Sequence, residues 1–404
     1  MRLGAGHLHH LDPLEEVLIA ERLRFATPAL MPGPTSQDGG GAGNAGGGVL
    51  LPYLYGANKS ESTAFSTIVQ QLDANSHEYE TDITPGGFLR GVEIKVTSTG
   101  GVLGTANLAA DTPWAIFSSI TLEDISGEGV LKPMSGFAHY IKQKFFSPWD
   151  GDPSKRPDYA RTVNPSFTLR LMVEVRDTLG VLANTDARAQ YRCKFTVAPT
   201  SAFVDVPANL TTAPTLTIKV SPLKWAQPDA IDLLGNPISP TPLGLAASRF
   251  FQHQMYTAFG VGDNTPRLEL VGNEIRAIAL IIRNSLKARV DLTDANTGAI
   301  TFAMDDRTYW KRTPSQWVEE MYAFYEDLSN GSWTRDTGVY VIPRFRRPGD
   351  LLGEYWLQTV EQNNLNIELL GADLGANAPG SIEFLYDNIA VDAGVSLSPE
   401  LEGI

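Results

Sequence analysis

The pattern of apolar and polar positions divides the chain into three textures. Residues 1–50 hold one short amphipathic stretch and then lose all periodicity. Asp12-Pro13 ahead of LEEVLIAERLRF predicts a helix over about 12–26: Asp12 suits the cap, Pro13 the first turn and Glu15 the capping-box position. Leu14, Val17, Leu18 and Phe25 share one face at 3.6-residue spacing. A lone helix of this length is marginal in water and needs a surface to dock on. The Gly-rich run 31–48 behind it has the composition of a flexible tether.

From about residue 62 the texture changes to β. Thr63–Leu72, Leu89–Thr97, Ile116–Leu122, Phe167–Val175, Tyr191–Val197 and Leu216–Val220 are rich in β-branched and aromatic residues. In FTLRLMVEV, Phe167, Leu169, Leu171, Val173 and Val175 occupy one face, with Thr168, Arg170 and Glu174 on the other. Gly, Pro, Asn and Asp separate these stretches, the punctuation of antiparallel sheets. The Pro-dense, aperiodic segment 223–245 is a linker. A second set follows: Phe250–Phe259, Ile275–Ile282, Ala299–Ala303, Gly338–Phe345, Trp356–Val360, Leu365–Leu370 and Ser381–Tyr386. With no βαβ alternation, tandem sandwiches are expected rather than a parallel sheet. The organisation expected is an arm over 1–50, a first sandwich over 51–222 and a second over 246–404.

The two halves echo each other. LRGVEIKV from Leu89 aligns with IRAIALII from Ile275, placing Arg90 opposite Arg276. Ile120-Thr121-Leu122 matches Ile300-Thr301-Phe302, and each is followed by a helical stretch, 134–146 and 314–328. In the second, Ser315 is a cap and Trp317, Met321, Phe324 and Leu328 form a stripe. A polar loop and another strand come next in both halves, so the order strand, strand, helix, loop, strand occurs twice.

Composition narrows the chemistry. The 404 residues carry 32 Lys+Arg against 46 Asp+Glu, a net charge of −14, which disfavours direct contact with nucleic acid. The 37 glycines and 26 prolines exceed the usual ~12% share and suit many short elements joined by turns. One cysteine, Cys193, cannot form an internal disulfide, and alternation puts it in a core beside Phe195. No signal peptide or membrane-spanning run is read in the sequence, so synthesis in the cytoplasm is expected.

Candidate reactive groups do not converge. His7, His9 and His10 are metal-ligand types on a tail without partners at zinc spacing, and are read as exposed polar residues. His77, His139 and His253 lie far apart in sequence. Asp305-Asp306 and Glu319-Glu320 are neighbours that cannot aim at one point on a strand or helix. The Gly tract lacks a P-loop ending, and Gly260-Val-Gly262 is too short for a dinucleotide fingerprint. Arg335, Arg344, Arg346 and Arg347 could hold an anion, but ion pairs between subunits are favoured. Trp310, Trp317, Trp333 and Trp356 could line a sugar platform, but core and interface anchoring is the preferred role. No enzyme, cofactor or metal is expected.

The paired LRGVEIKV and IRAIALII strands, the helices at 134–146 and 314–328 and the SWTRDTGVYVIPRF passage at 332–345 resemble the double jelly-roll major capsid proteins of tailless icosahedral double-stranded DNA viruses, tectivirus-like phages among them. The resemblance spans about 60–395. It implies an all-β chain of two tandem eight-stranded jelly rolls that assembles as pseudo-hexameric homotrimers. Its partners would be its own copies and neighbouring trimers, penton or minor capsid proteins and an internal viral membrane, with no direct contact to the genome. The arm, through Leu14, Val17, Leu18 and Phe25, would dock on a neighbouring subunit; Glu15, Glu16 and Glu21 argue against a membrane surface. A two-domain carbohydrate-binding or carbohydrate-active protein is the alternative, and a penton, spike or minor capsid protein the third reading.

Overall fold

The computed structural model describes residues 50–390, apart from short breaks of which the longest are 243–247, 269–273, 326–334, 344–356 and 360–364. The expected arm, with its helix at 12–26, its tether and His7, His9 and His10, lies outside the described residues.

Among the described residues, ten strands precede residue 226: β1 (Lys59–Glu61), β2 (Ser66–Gln71), β3 (His77–Asp82), β4 (Phe88–Thr99), β5 (Phe117–Asp124), β6 (Gly129–Met134), β7 (Ser166–Met172), β8 (Leu182–Ala183), β9 (Tyr191–Val197) and β10 (Thr215–Trp225). Ten more follow residue 247: β11 (Ser248–Phe259), β12 (Gly262–Asn264), β13 (Arg267–Leu268), β14 (Glu274–Arg283), β15 (Ala299–Met304), β16 (Arg307–Arg312), β17 (Val339–Pro343), β18 (Leu357–Gln358), β19 (Leu365–Ala372) and β20 (Gly380–Ala390). Two longer helices join them, α1 (Gly136–Phe146) and α2 (Pro314–Tyr325).

Pairing is antiparallel throughout and repeats. The first set forms a sheet in the order β2-β10-β4-β7, extended by β1 beside β10 and β8 beside β4, and a second sheet β3-β9-β5-β6. The second set forms β11-β20-β14-β17, extended by β18, facing β12-β19-β15-β16, extended by β13. First strand beside last, and third beside sixth, is the jelly-roll connection. It occurs twice, with α1 and α2 inserted at the same place. Apolar residues of both sheets fill each roll: Val92, Ile94, Leu171 and Ile218 meet Ile120, Leu122, Cys193 and Phe195 in the first. Ile278, Leu280 and Phe384 meet Phe302, Ile367 and Leu369 in the second.

Several boundaries differ from the sequence expectation for physical reasons. Residues 223–225 are not linker but the end of β10. Pro222 lies within this strand, in register with Val92 of β4. The first helix starts at Gly136, not 134: Ser135 Oγ accepts from Ala138 N at 3.1 Å, while Met134 still pairs with Ile120 in β6. Thr313, not Ser315, caps α2. Its hydroxyl accepts from Gln316 N, and Gln316 Oε1 accepts from Thr313 N at 3.1 Å, a capping box with Pro314 in the first turn. The polar strands β3 and β16 (HEYETD and RTYWKR) were not expected, since their apolar content is too low to signal a strand.

The repeated strand carries a repeated irregularity. On β10, Leu223 and Lys224 are consecutive, but their partners on β4 are Gly91 and Leu89, leaving Arg90 as the extra residue of a bulge. On β20, Asn388 and Asp387 are consecutive, but their partners are Ile275 and Ala277, leaving Arg276 extra on β14. Both arginines are buried and paired with carboxylates. A bulge re-aims one side chain without ending the sheet, and here it has been kept at the same place in both copies.

Candidate assembly site at the seam between the rolls

Strand β14 is buried on both faces. Ile278, Leu280 and Ile282 point into the second core, whereas Ala277, Ala279 and Ile281 belong to a cluster with Phe137, Ile141 and Phe145 of α1. All eleven residues of α1 are buried. This explains why IRAIALII is continuously apolar: a strand covered on both sides has no polar face.

Polar groups fix the seam. Asp111, in the loop after β4, accepts from Arg283 at 2.6 Å and Arg289 at 2.8 Å. Arg289 also donates to Ala110 O and lies 4.6 Å from the centre of the Phe137 ring. Lys144 Nζ reaches Asp336 Oδ2 at 2.7 Å, and Tyr325 OH donates to Phe145 O at 3.1 Å. Charges so enclosed are tolerable because each has a partner.

The helices also seal sheet edges. Strand β7 pairs with β4 and, through Ser166, makes a single bridge to Ala160, and Gln143 Oε1 of α1 accepts from Arg170 N at 2.9 Å. In the second roll, Met321 Sδ of α2 accepts from Val341 N on β17 at 3.3 Å. An edge strand with a free donor row is thereby covered.

The sequence candidates for chemistry are dispersed. His139 is buried on α1 with Nε2 at 3.1 Å from Ile120 O, His77 sits 2.9 Å from Asp73, and His253 lies on β11 opposite Leu385. Burial pushes the Cys193 thiol up to about 12, so it stays protonated in the core. Glu320 pairs with Arg312 at 2.6 Å; Asp305 is exposed, and Asp306 lies outside the described residues. Arg335 holds Asp291 with two hydrogen bonds of 2.7 and 2.8 Å. Burial alone would raise the Asp291 carboxyl, but these bonds and one from Gly338 N lower it below its ordinary value. Arg344, Arg346, Arg347, Trp333 and Trp356 lie outside the described residues. Trp310 and Trp317 pack against each other with ring centres 6.2 Å apart, and Trp317 is buried. Among the described residues no group of three or more His, Cys, Asp or Glu side chains could hold a metal ion. A concavity of about 290 Å³ is lined by Leu72, Asp73, Thr200 and Leu210 and is open to solvent.

Sequence reasoning aligned Arg90 with Arg276 but gave neither a role, and it gave none to Glu174, Asp387, Asp111 or Lys144. The available signal was a charged residue held at one place in two otherwise apolar strands. A different surface feature stands out near residue 50. Leu51 pairs with Ile238, and the turn this anchors carries the exposed Ile231, Leu233 and Leu234, while Leu50, Leu54 and Tyr55 are exposed beside Leu51 in the chain.

No protein-family model and no curated protein matches the sequence. Solved structures do. The chain is similar to the crystal structure of the major capsid protein of STIV, with TM-score 0.54, 11% identity, and coverage of 83% of this chain and 97% of that one. A chain of the atomic structure of Sulfolobus Turreted Icosahedral Virus aligns with TM-score 0.57 and 11% identity over 82% of this chain and 91% of its own. The PBCV-1 virus capsid gives TM-score 0.51 and 12% identity over 82% and 93%. Near-complete coverage of those chains means that both rolls, their order and their connection are matched together. The two sandwiches read from the sequence are thus the paired rolls of this architecture, and the chain has the double jelly-roll fold of these viral capsid proteins.

Proposed function

We propose that this chain is a major capsid protein that self-assembles as pseudo-hexameric homotrimers into the icosahedral shell of a tailless double-stranded DNA virus, such as a tectivirus-like phage. The supporting observation is the double roll itself: two copies of one connectivity, joined across a seam in which α1 is buried along its whole length. Two rolls per chain give a trimer six similar walls, the outline needed to tile a hexagonal lattice. On this reading the molecule acts by assembly and not by catalysis, the roll that ends with β10 at Trp225 and the roll that begins with β11 at Ser248 are the two walls, and the segment between them spans the walls. Exposed leucines such as Leu233 and Leu234 are what an assembling subunit leaves for its neighbours. The arm, with Leu14, Val17, Leu18 and Phe25, docks on a neighbouring subunit, and penton or minor capsid proteins complete the shell.

Size-exclusion chromatography with electron microscopy of the expressed protein tests this. A stable trimer or closed shell is expected, and deletion of residues 1–48 should leave the trimer but impair shell closure. A monomer that binds or cleaves polysaccharide would overturn the reading; a truncated chain that closes shells normally would overturn the role of the arm.

A further inference from the structure

We propose that the seam is a site of autocatalytic isopeptide formation, in which Lys144 Nζ of the first roll condenses with the side-chain carboxyl of Asp336 in the second, and Asp152 relays the protons. The three groups are enclosed together. Lys144 Nζ lies 2.7 Å from Asp336 Oδ2 and 3.3 Å from Asp152 Oδ2, with side-chain exposures of 2%, 19% and 13% for the lysine, Asp336 and Asp152. A structural ion pair needs one carboxylate, and here a second is held within reach of the same ammonium. Asp152 Oδ1 accepts from Ser154 N and Oγ at 2.8 and 2.7 Å, which fixes the carboxylate. Its Oδ2 is buried, makes no hydrogen bond among the described residues and faces the Lys144 ammonium, from which it would take the proton.

The surroundings favour condensation over hydrolysis. Tyr140 and Phe145 place their rings 5.5 and 5.4 Å from the lysine nitrogen. Trp114 stacks on Tyr140 at 4.5 Å and on Tyr159 at 5.6 Å, so aromatic rings wall the lysine side of the site and limit the water that reaches it. Tyr140 OH donates to both Asp336 oxygens, at 3.4 and 3.2 Å, where negative charge builds as nitrogen attacks. Burial, with the nearby Asp336 and Asp152 charges, raises the Tyr140 phenol well above its ordinary value, so it remains a donor.

The step balances without an oxidant or co-reactant. Asp152 takes a proton from the ammonium, and the freed nitrogen lone pair forms a bond to Asp336 Cγ. One Cγ–O bond breaks, and that oxygen leaves as water with two of the three ammonium protons, each passed through Asp152. The third stays on the amide nitrogen. Fixing nucleophile and electrophile at contact distance supplies the high effective concentration that such a condensation needs.

Mass spectrometry of the purified full-length chain under denaturing conditions tests the proposal. The mass should fall about 18 Da below that of the sequence, one water per chain, and a tryptic digest should contain a branched peptide joining Lys144 to Asp336. Lys144→Arg, which keeps the charge but cannot condense, and Asp152→Asn should both give the full mass. Wild-type protein at full mass, or a water loss that maps elsewhere or persists in Lys144→Arg, overturns it. The wild-type branched peptide is decisive whether or not the variants fold.

Discussion

Arg90 and Arg276 occupy the same bulge in the two rolls, yet their partners arrive from opposite sides. Arg90 Nε bonds Glu174 Oε2 at 2.6 Å, and Glu174 follows β7 on one flank of β4. A second irregularity brings it there, since Val173 N and Glu174 N both donate to Arg90 O at 2.9 Å. The other Glu174 oxygen accepts from Trp225 Nε1 at 2.6 Å and Thr178 N at 3.0 Å. Arg276 instead meets Asp387 at 3.2 Å, and Asp387 belongs to β20 on the other flank of β14. Both members of that pair are fully enclosed, whereas Arg90 retains 9% exposure. The comparison teaches that the bulge fixes the place of the buried cation, while the source of its counter-charge is free to change. In the first roll the acid comes from the segment that follows β7. In the second, β17 and β18 occupy the corresponding flank of β14, and the acid comes from β20 on the other flank.

This difference sets unequal expectations for removing each arginine. Arg276→Ala removes the cation held 3.2 Å from the fully enclosed Asp387 and should cost about 3–5 kcal/mol, enough to abolish soluble folded protein in a marginal chain. Arg90→Ala should cost less, about 1–3 kcal/mol, because Glu174 keeps two other donors. Denaturant unfolding of the two variants checks the ranking, and equal losses would mean the partner's remaining bonds do not matter. A smaller contrast concerns the sealed edges. Gln143→Leu removes an acceptor from Arg170 N and should cost about 1–2 kcal/mol. Met321→Leu at the equivalent place in the second roll gives up only a weak sulfur acceptor and should cost under about 1.5 kcal/mol. Thermal melts of the pair would show whether the helices act mainly by packing or by satisfying the strand.

The smallest effect is a pH dependence at Asp291 in the second roll. Asp291 has its folded pKa lowered by Arg335 and Gly338, against the opposing effect of burial. Its contribution is therefore fully present above the unfolded-state value near ~3.9 and is lost as pH falls through the lower folded value. Asp291→Asn should melt below wild type at neutral pH, and the two curves should converge in acid. A gap that persists at the lowest pH would assign the effect to packing.

Much of this architecture was legible in the sequence because its strands are long and apolar. FTLRLMVEV and IRAIALII declared themselves, and the duplication followed from aligning them. What stayed hidden is instructive. The polar side of FTLRLMVEV reads as solvent-facing, yet Thr168 and Glu174 are buried; alternation reports which side is apolar, not what covers the other. HEYETD and RTYWKR form strands because their partners β9 and β15 are strong and hold them in register, a tertiary effect that local propensity does not carry. Lys144 and Asp336 are separated by 192 residues, and no periodicity links them. The seam was therefore unreadable until the fold brought its two sides together.

Covering β7 and β17 with helices has a consequence for crowding. An open strand edge would let copies of a chain extend one another's sheets without limit. Gln143 and Met321 occupy backbone donors on those two strands that such growth would use. Contacts between copies on those flanks must then be made by side chains, which fit in one way and stop. Under the proposed capsid function, closure of a shell rather than growth of a fibre would depend on that restraint.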